Sequence, residues 1–399
     1  MADTLWIIGV AMTKFMRYQD RDLIDLGADA ATAALADAGL TIFDADILAA
    51  GCLYDTNGIG QRIQKQIGQT GIPVYNVTNA CATGATAFRV AAMAIKAGEA
   101  SIGLAVGLEQ MGKLGLLGAR PGAAKDKPYE PAGRYGAVGP VEGILGTSLM
   151  PGTFAQSGME YASRNDGAGF EQFAKVAEKN HAHSTLNPLA QYQKAFSLED
   201  VMNAEMIAYP NTLLMCCPTG DGAAAAVLCS GERLASMPAE VRRRAVKVSA
   251  SVLTSDPYVD GGSVQFDVNT LTRQAADQAY EQAGVGPQDL DLVELHDCFA
   301  TAELCHYDNL RLCPEGAAGE WIDRRGPWRD GEIPVNVSGG LLSKGHPLGA
   351  TGIANIYEVS AHLRGEAGDR QIEGARVGLT HVIGLGSACA VHILEKSAA

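Results

Sequence analysis

The chain has 399 residues, 19% of them charged and 47% apolar, with a formal charge of −14. That length supports two or three domains with real cores, and the acidic balance argues against a general nucleic-acid-binding surface. Nine cysteines, an odd number with no framework spacing, point to a reducing compartment rather than a disulfide scaffold.

No apolar run reaches the ~20 residues of a membrane span. The opening "MADTLWIIGVAMTKF" has no basic segment ahead of its apolar one, so it reads as a first strand and not as a signal peptide. The composition suits the cytoplasm. Leu5–Val10 is the first strand. Asp22–Gly39 carries apolar residues at helical spacing and closes on glycine. Asp46–Leu53 and Val74–Thr78 read as strands. Ala82–Ala97 is apolar nearly all round, which predicts a buried helix. Ser101–Leu108, "SIGLAVGL", is a continuous apolar run, the pattern of a strand covered on both faces.

From Gly112 to Pro210 glycine, proline and polar stretches dominate, with helices expected at Phe170–Ser184 and Leu198–Ala208. This reads as an inserted loop domain. The strand pattern resumes at Asp221–Ser230. A bridge, Gly231–Arg244, ends in Arg242–Arg244, read as a solvated face. A second βα series follows. Strands are expected at Val246–Val252, Leu290–Leu295, Val377–Ile383 and Cys389–Leu394. Helices are expected at Leu271–Ala283, Thr301–Arg311 and Gly352–Gly365. The expected organisation is an α/β chain with an N-terminal domain (1–111 and 211–235), a loop domain (112–210) and a C-terminal domain (236–399).

The two series repeat one another. Cys81-Ala-Thr-Gly-Ala-Thr-Ala lies on His346-Pro-Leu-Gly-Ala-Thr-Gly. Each opens an Ala-rich helix followed by "GLAVG" (103–107) or "GLTHV" (378–382), and each half closes on a Gly/Ala-rich segment and a strand. Two βαβ halves facing each other would bring the helix N-termini together. Cys81 and His346 would then share one site.

A helix N-terminus lowers a thiol pKa, which makes Cys81 a candidate nucleophile. A small buried hydrophobe is the commoner fate of a free cysteine. A second cluster is "LHDCF", Leu295–Phe299, at a strand end, where α/β sheets carry function. His296 and Cys298 share a face if strand geometry persists. Asp297 would then point away, which argues against a zinc site in this segment. "NVSGGLLSKGHPLGATG" (336–352) places His346 between tight turns, with Lys344 read as solvated. The bare N–H groups of "GLGS" (384–387) could hold an oxyanion.

Together "NACATGATA", "HDCF", "GHPLGATG" and "HVIGLGSA" resemble the thiolase superfamily, and most of all its sterol-carrier-protein type. The resemblance extends over almost the whole chain, in order, through "KNHAHSTLNPLAQY", "CCPTGDGAAAAVL" and "ELCHYDNLRLCPEG". It implies a thiolase fold, two similar halves in five α-β-α-β-α layers with an inserted loop domain, and 3-ketoacyl-CoA chemistry. Cys81 would be acylated and His346 would activate it. His296 stands where most thiolases have an asparagine that holds water. The usual acid/base cysteine is replaced here by Val382, and in the sterol-carrier type the cysteine of "HDCF", Cys298, takes that role. The N–H groups of Cys81 and Gly384 would form an oxyanion hole. Ser249 would contact pantetheine, and Cys389 would be core. No permanently bound cofactor and no metal are implied, with coenzyme A as co-substrate. A homodimer and a small OB-fold partner subunit fit the type. No sterol-carrier domain follows the last expected strand, so lipid delivery would fall to another chain.

Other readings remain open. A decarboxylating ketosynthase uses one cysteine and two histidines on this fold, and Cys298 argues against it. A retro-aldolase relative would have lost the cysteines, and Cys81 is retained. A non-catalytic lipid- or partner-binding scaffold would not need four reactive positions filled.

Overall fold

A computed structural model describes residues 4–55, 57–114, 149–257, 268–385 and 387–397. The first half runs β1 (Leu5–Met12), α1 (Leu23–Asp37), β2 (Ile47–Gly51), α2 (Ile59–Ile67), β3 (Val74–Val77), α3 (Thr83–Lys96), β4 (Ile102–Gln110) and the short α4 (Met111–Leu114). Next come α5 (Leu149–Arg164), α6 (Phe170–Ser184), α7 (Leu198–Met202), the hairpin β5 (Met206–Ala208) and β6 (Asn211–Thr212), and β7 (Asp221–Ser230). Helices α8 (Gly231–Ala235) and α9 (Ala239–Arg244) lead into the second half. It comprises β8 (Val246–Thr254), α10 (Val268–Ala283), β9 (Leu292–Glu294), α11 (Ala300–Asn309), α12 (Ala318–Asp323), α13 (Gly340–Lys344), α14 (Leu348–Arg364), β10 (Val377–Gly384) and β11 (Ala388–Lys396).

The strands order as β3-β2-β4-β7-β1 and β8-β11-β10-β9. An antiparallel pairing of Leu5–Ile7 with Val246–Val248 joins the two sets into one hydrogen-bonded series of nine. Side-chain alternation along the strands builds the layers. On β4, Ile102, Leu104, Val106 and Leu108 face α1 and α2, while Ala105 faces α3 and α14. On β11, Leu394 faces that same central pair, and Val391 and Ile393 face α10 and α11. Helices α3 and α14 are therefore packed between the halves, with strands on both sides and helices outside them. This is the five-layer thiolase fold expected from the sequence. Fully burying one such leucine or isoleucine contributes about 1.5–3 kcal/mol. No helix among the described residues is long and apolar enough to cross a membrane.

The internal repeat appears as geometry. Cys81 and His346 each stand two residues before their helix, α3 and α14. Gly84 and Gly349 occupy equivalent places where the helices touch. A Cβ on Gly84 would lie 2.6 Å from the Gly349 carbonyl oxygen, and one on Gly349 would lie 2.2 Å from that of Leu108. A side chain at Gly84 would push the two N-termini apart, and one at Gly349 would lift α14 off β4 and β2.

Three expectations change. Leu198–Ala208 is not one helix: α7 ends at Met202, and Met206–Ala208 pairs with Asn211–Thr212. The helix caps at Asn203, and the hairpin satisfies the backbone that follows. Lys344 is not solvated: it is fully buried and 3.5 Å from Glu294. Arg244 is bound as well, bridging Asp37 (2.6 Å) and Glu366 (2.6 Å).

Candidate active site

Cys81 follows Ala80, which adopts a left-handed conformation (φ 48°). Thr83 holds that turn. Its hydroxyl donates to the Ala80 carbonyl (2.6 Å) and accepts from the Asn79 N–H (2.8 Å). The Ala82 N–H closes the turn on Asn79 (3.0 Å). The turn aims the thiol across the gap toward α14. The helix N-terminus does not dominate its ionisation. Burial first, and then the charge of Glu109, push the Cys81 thiol up to about 12, although its own N–H works the other way.

His346 lies across from it at the start of α14. Its Nδ1 is 2.7 Å from Thr351 Oγ1, and the Thr351 hydroxyl also reaches the Pro347 carbonyl (3.0 Å). A carbonyl only accepts, so the single hydroxyl proton goes there and the imidazole Nδ1–H donates to Thr351. That leaves Nε2 as a bare lone pair, buried and without a hydrogen-bond partner. Burial and the nearby His296 and Lys344 hold His346 well below its ordinary pKa. Thr86, the repeat partner of Thr351, likewise donates to the carbonyl four residues back, that of Ala82 (2.9 Å), but accepts from Asn79 (3.0 Å) rather than from Cys81, the repeat partner of His346.

His296 completes the group. The Cys81 sulfur and a ring nitrogen of each of His296 and His346 all lie within 4.8 Å of one another. The two rings meet edge-on at 5.2 Å. Both nitrogens of His296 lack a hydrogen-bond partner, and burial pushes its pKa down to about 3. Strand geometry does not persist to this point, because β9 stops at Glu294. His296 is held instead through its backbone, whose N–H reaches Nδ1 of His381 at 3.4 Å. His381 in turn packs against His306 (4.6 Å, edge-on).

Cys298 stands outside that triad but within its field. Burial and the charges of Cys217 and Cys81 raise its pKa well above the ordinary value. Cys217 donates its N–H to the Cys298 carbonyl (3.0 Å), so a third thiol joins the site from the segment before β7. Asp297 points toward α6 and α13, although not through strand alternation, since β9 has ended. It accepts from the N–H groups of Leu341 (2.7 Å) and Leu342 (3.1 Å) and from Asn180 (2.8 Å). Asn180 also binds Glu303, which pairs with the buried Lys179 at 2.8 Å. This polar lattice pins the loop carrying His296 and Cys298 to α6 and α13.

Val382 packs in the apolar cluster around Cys81, with Met111 and Leu348. Gly384 approaches the same turn: a Cβ there would sit 2.1 Å from the Asn79 carbonyl oxygen. Of the loop 384–387, Gly386 lies outside the described residues. Ser249 lies on β8, its hydroxyl buried without a partner, and no described contact joins it to the triad. Cys389 is fully buried in the outer core of the second half. Sequence reasoning missed Thr351, Glu109, His381 and Cys217. The threonine was legible in the repeat; the others come from remote segments with no local signal. Glu109 accepts from the N–H groups of Leu53 (2.8 Å) and Tyr54 (3.3 Å) beside Cys81.

Residues 5–127 match the thiolase N-terminal domain, and residues 265–396 match the description "Thiolase C-terminal domain-like". Sterol carrier protein 2 of Bos taurus is 40% identical over 404 residues, which span 99% of this chain and 73% of that one. The acetyl-CoA acetyltransferase of Methanothermobacter thermautotrophicus is 37% identical over 401 residues, 98% of this chain and 99% of that one. A solved structure titled "Ltp2-ChsH2(DUF35) aldolase" aligns over 100% of this chain and 99% of its own with a TM-score of 0.81. At 23% identity, that is a likeness of fold alone. Two facing halves with a cysteine and a histidine at their helix N-termini define an enzyme of thiolase type, an acyltransferase in general terms. The chain belongs to the thiolase superfamily, in its sterol-carrier-protein type.

Proposed function

We propose that the chain is a 3-ketoacyl-CoA thiolase that works through an acyl-Cys81 intermediate, with coenzyme A as co-substrate. The observation that carries this is the buried, unpartnered Nε2 of His346, on a ring that has a nitrogen within 4.8 Å of the Cys81 sulfur. In the degradative direction His346 takes the Cys81 proton as the sulfur attacks the 3-keto carbon. The Cα–Cβ bond breaks and the acetyl-CoA enolate takes a proton from Cys298. CoA-SH then gives its proton to Cys298 and attacks the acyl group, and Cys81 recovers its proton from His346. The N–H groups of Cys81 and Gly384 face the oxyanion of the acyl step. His346 and a water on His296 face the thioester oxygen. Burial favours a resting thiol and neutral imidazole, so proton transfer accompanies attack rather than preceding it.

Ser249 is the candidate pantetheine contact. The working units are an N-terminal domain of 1–111 and 211–235, a loop domain of 112–210 and a C-terminal domain of 236–399, in a cytoplasmic homodimer. The aldolase whose fold this chain shares carries a DUF35 partner by its title. That likeness supports a small OB-fold partner here, and it keeps a retro-aldolase as the second reading. The deciding experiment incubates the purified chain with acetoacetyl-CoA and longer 3-ketoacyl-CoAs, with and without CoA. CoA-dependent cleavage that disappears in Cys81→Ala is the expected result. Cleavage of a 3-hydroxyacyl-CoA without added CoA would favour the aldolase.

The Thr351 contact leads to a separate expectation. Thr351→Val removes the acceptor for His346 Nδ1–H and releases the tautomer. The kcat for thiolysis should fall about 10–100-fold with KM nearly unchanged, and Thr351→Ser should restore it. Equal activity in Thr351→Val would remove the hydroxyl from the mechanism.

A further inference from the structure

We infer that Cys81, His296 and His346 also form a binding site for a zinc ion, and that zinc switches the enzyme off reversibly. The inference goes beyond the thiolase reading and rests on the geometry of the donors. One sulfur and two imidazole nitrogens, from three separate segments, lie within 4.8 Å of one another. Tetrahedral zinc, with bonds near 2.3 Å to sulfur and 2.0–2.1 Å to nitrogen, wants donors roughly 3.3–3.6 Å apart. Small side-chain rotations close that difference.

The donors are in the right state. His346 offers a bare Nε2, because Nδ1–H is committed to Thr351 and through it to the Pro347 carbonyl. Such an outer hydrogen bond is what orients a metal-binding histidine. Both ring nitrogens of the fully buried His296 are unpartnered, and either can turn to the ion. The set is nitrogen and sulfur with no carboxylate, which suits zinc or cobalt and not calcium or magnesium. Three protein ligands leave a fourth position open. Binding exchanges the Cys81 S–H proton for the metal and releases it to buffer, with no electron transferred. The ion then holds both the sulfur that attacks and the lone pair that would deprotonate it.

The test uses the purified full chain, treated with chelator and then titrated with Co²⁺ in the absence of CoA. One equivalent should bind with tetrahedral d–d bands and a thiolate-to-cobalt charge-transfer band. The sulfur band should vanish in Cys81→Ala and persist in Cys313→Ser, with far-UV circular dichroism showing both folded. Independently, Zn²⁺ should protect Cys81 of the unaltered chain from iodoacetamide, read by peptide mass spectrometry, and EDTA should restore labelling. A cobalt spectrum without the sulfur band, a full band in Cys81→Ala, or labelling of Cys81 unchanged by Zn²⁺ would overturn the inference. Its fate separates from that of the thiolase reading. A cobalt–sulfur band without CoA-dependent cleavage sinks the reading alone, whereas cleavage that Zn²⁺ leaves untouched sinks the zinc site alone.

Discussion

Cys298→Ala is expected to retain acylation of Cys81 by an acyl-CoA while CoA-dependent cleavage slows by about 10²–10⁴-fold, the usual worth of a positioned acid/base. Cys81→Ala should lose acylation altogether. The asymmetry follows from the division of labour we propose, in which attack on the keto carbon uses Cys81 and His346, and the enolate and the incoming CoA thiol use Cys298. The position of Val382 allows a stronger form of the test. Its side chain packs in the cluster around Cys81, and the sequence resemblance aligns it with the second cysteine of most thiolases. Adding Val382→Cys to Cys298→Ala should therefore recover part of the lost thiolysis. Acylation followed by mass spectrometry, alongside a steady-state assay of cleavage, separates the steps. Full thiolysis in Cys298→Ala would remove that residue from the mechanism and leave Cys217, the neighbouring thiol, as the group to examine.

The second large effect is acid lability. All eight histidines of the chain are buried. Burial is the leading cause for each, and every one is held below its ordinary pKa, His296, His306 and His392 down to about 3 and His362 to about 4. The unfolded chain binds these protons near pH 6.5 and the folded chain only at lower pH. Their contribution to stability is therefore complete above about pH 6.5 and is lost as the pH falls toward 3–4. Each fully shifted histidine contributes a slope of about 1.4 kcal/mol per pH unit within that window. Glu109, Glu294 and Asp297 run the opposite way, because burial raises their pKa and acid favours their neutral folded form. Eight histidines outnumber these three carboxylates, so the net effect is a loss of stability as the pH falls below about 6.5. Urea unfolding at pH 7, 6 and 5 checks this, and the midpoint should drop steeply with m unchanged. A midpoint flat from pH 7 to 5 would contradict the neutral, buried state of these rings, and with it the free lone pair assigned to His346.

How much of this could be read before folding depends on the residue. The helices α1, α3, α6 and α10 and the strands β4 and β7 follow from apolar spacing, because one face or both must leave water and the spacing records which. The pairing of Cys81 with His346 was legible through the repeat, since duplicated small residues at equal offsets mark two copies of one helix start. His296 and Cys298 were legible as a strand end, although the reason given was incomplete: β9 stops short of them, and a lattice through Asp297, Asn180 and Glu303 holds their loop. Helix α2 shows its Ile59, Ile63 and Ile67 stripe only once the strands around it are known. The hairpin at 206–212 was misread as helix because local apolar content cannot show which backbone partner is near.

Lys344 marks the limit most clearly. A lysine between a serine and a glycine reads as solvated, and only the buried Glu294 and Asn355 brought to it by the fold reverse that. Sequence alone therefore determined the periodic elements, the two-half plan and which reactive side chains open the two central helices, because these are set by neighbours along the chain. The tertiary structure alone decided the ionisation of Cys81, the tautomer of His346, the burial of every histidine and the approach of Glu109, His381 and Cys217. Those depend on desolvation and on charges and hydrogen bonds from segments far apart in sequence, distances that no local pattern encodes.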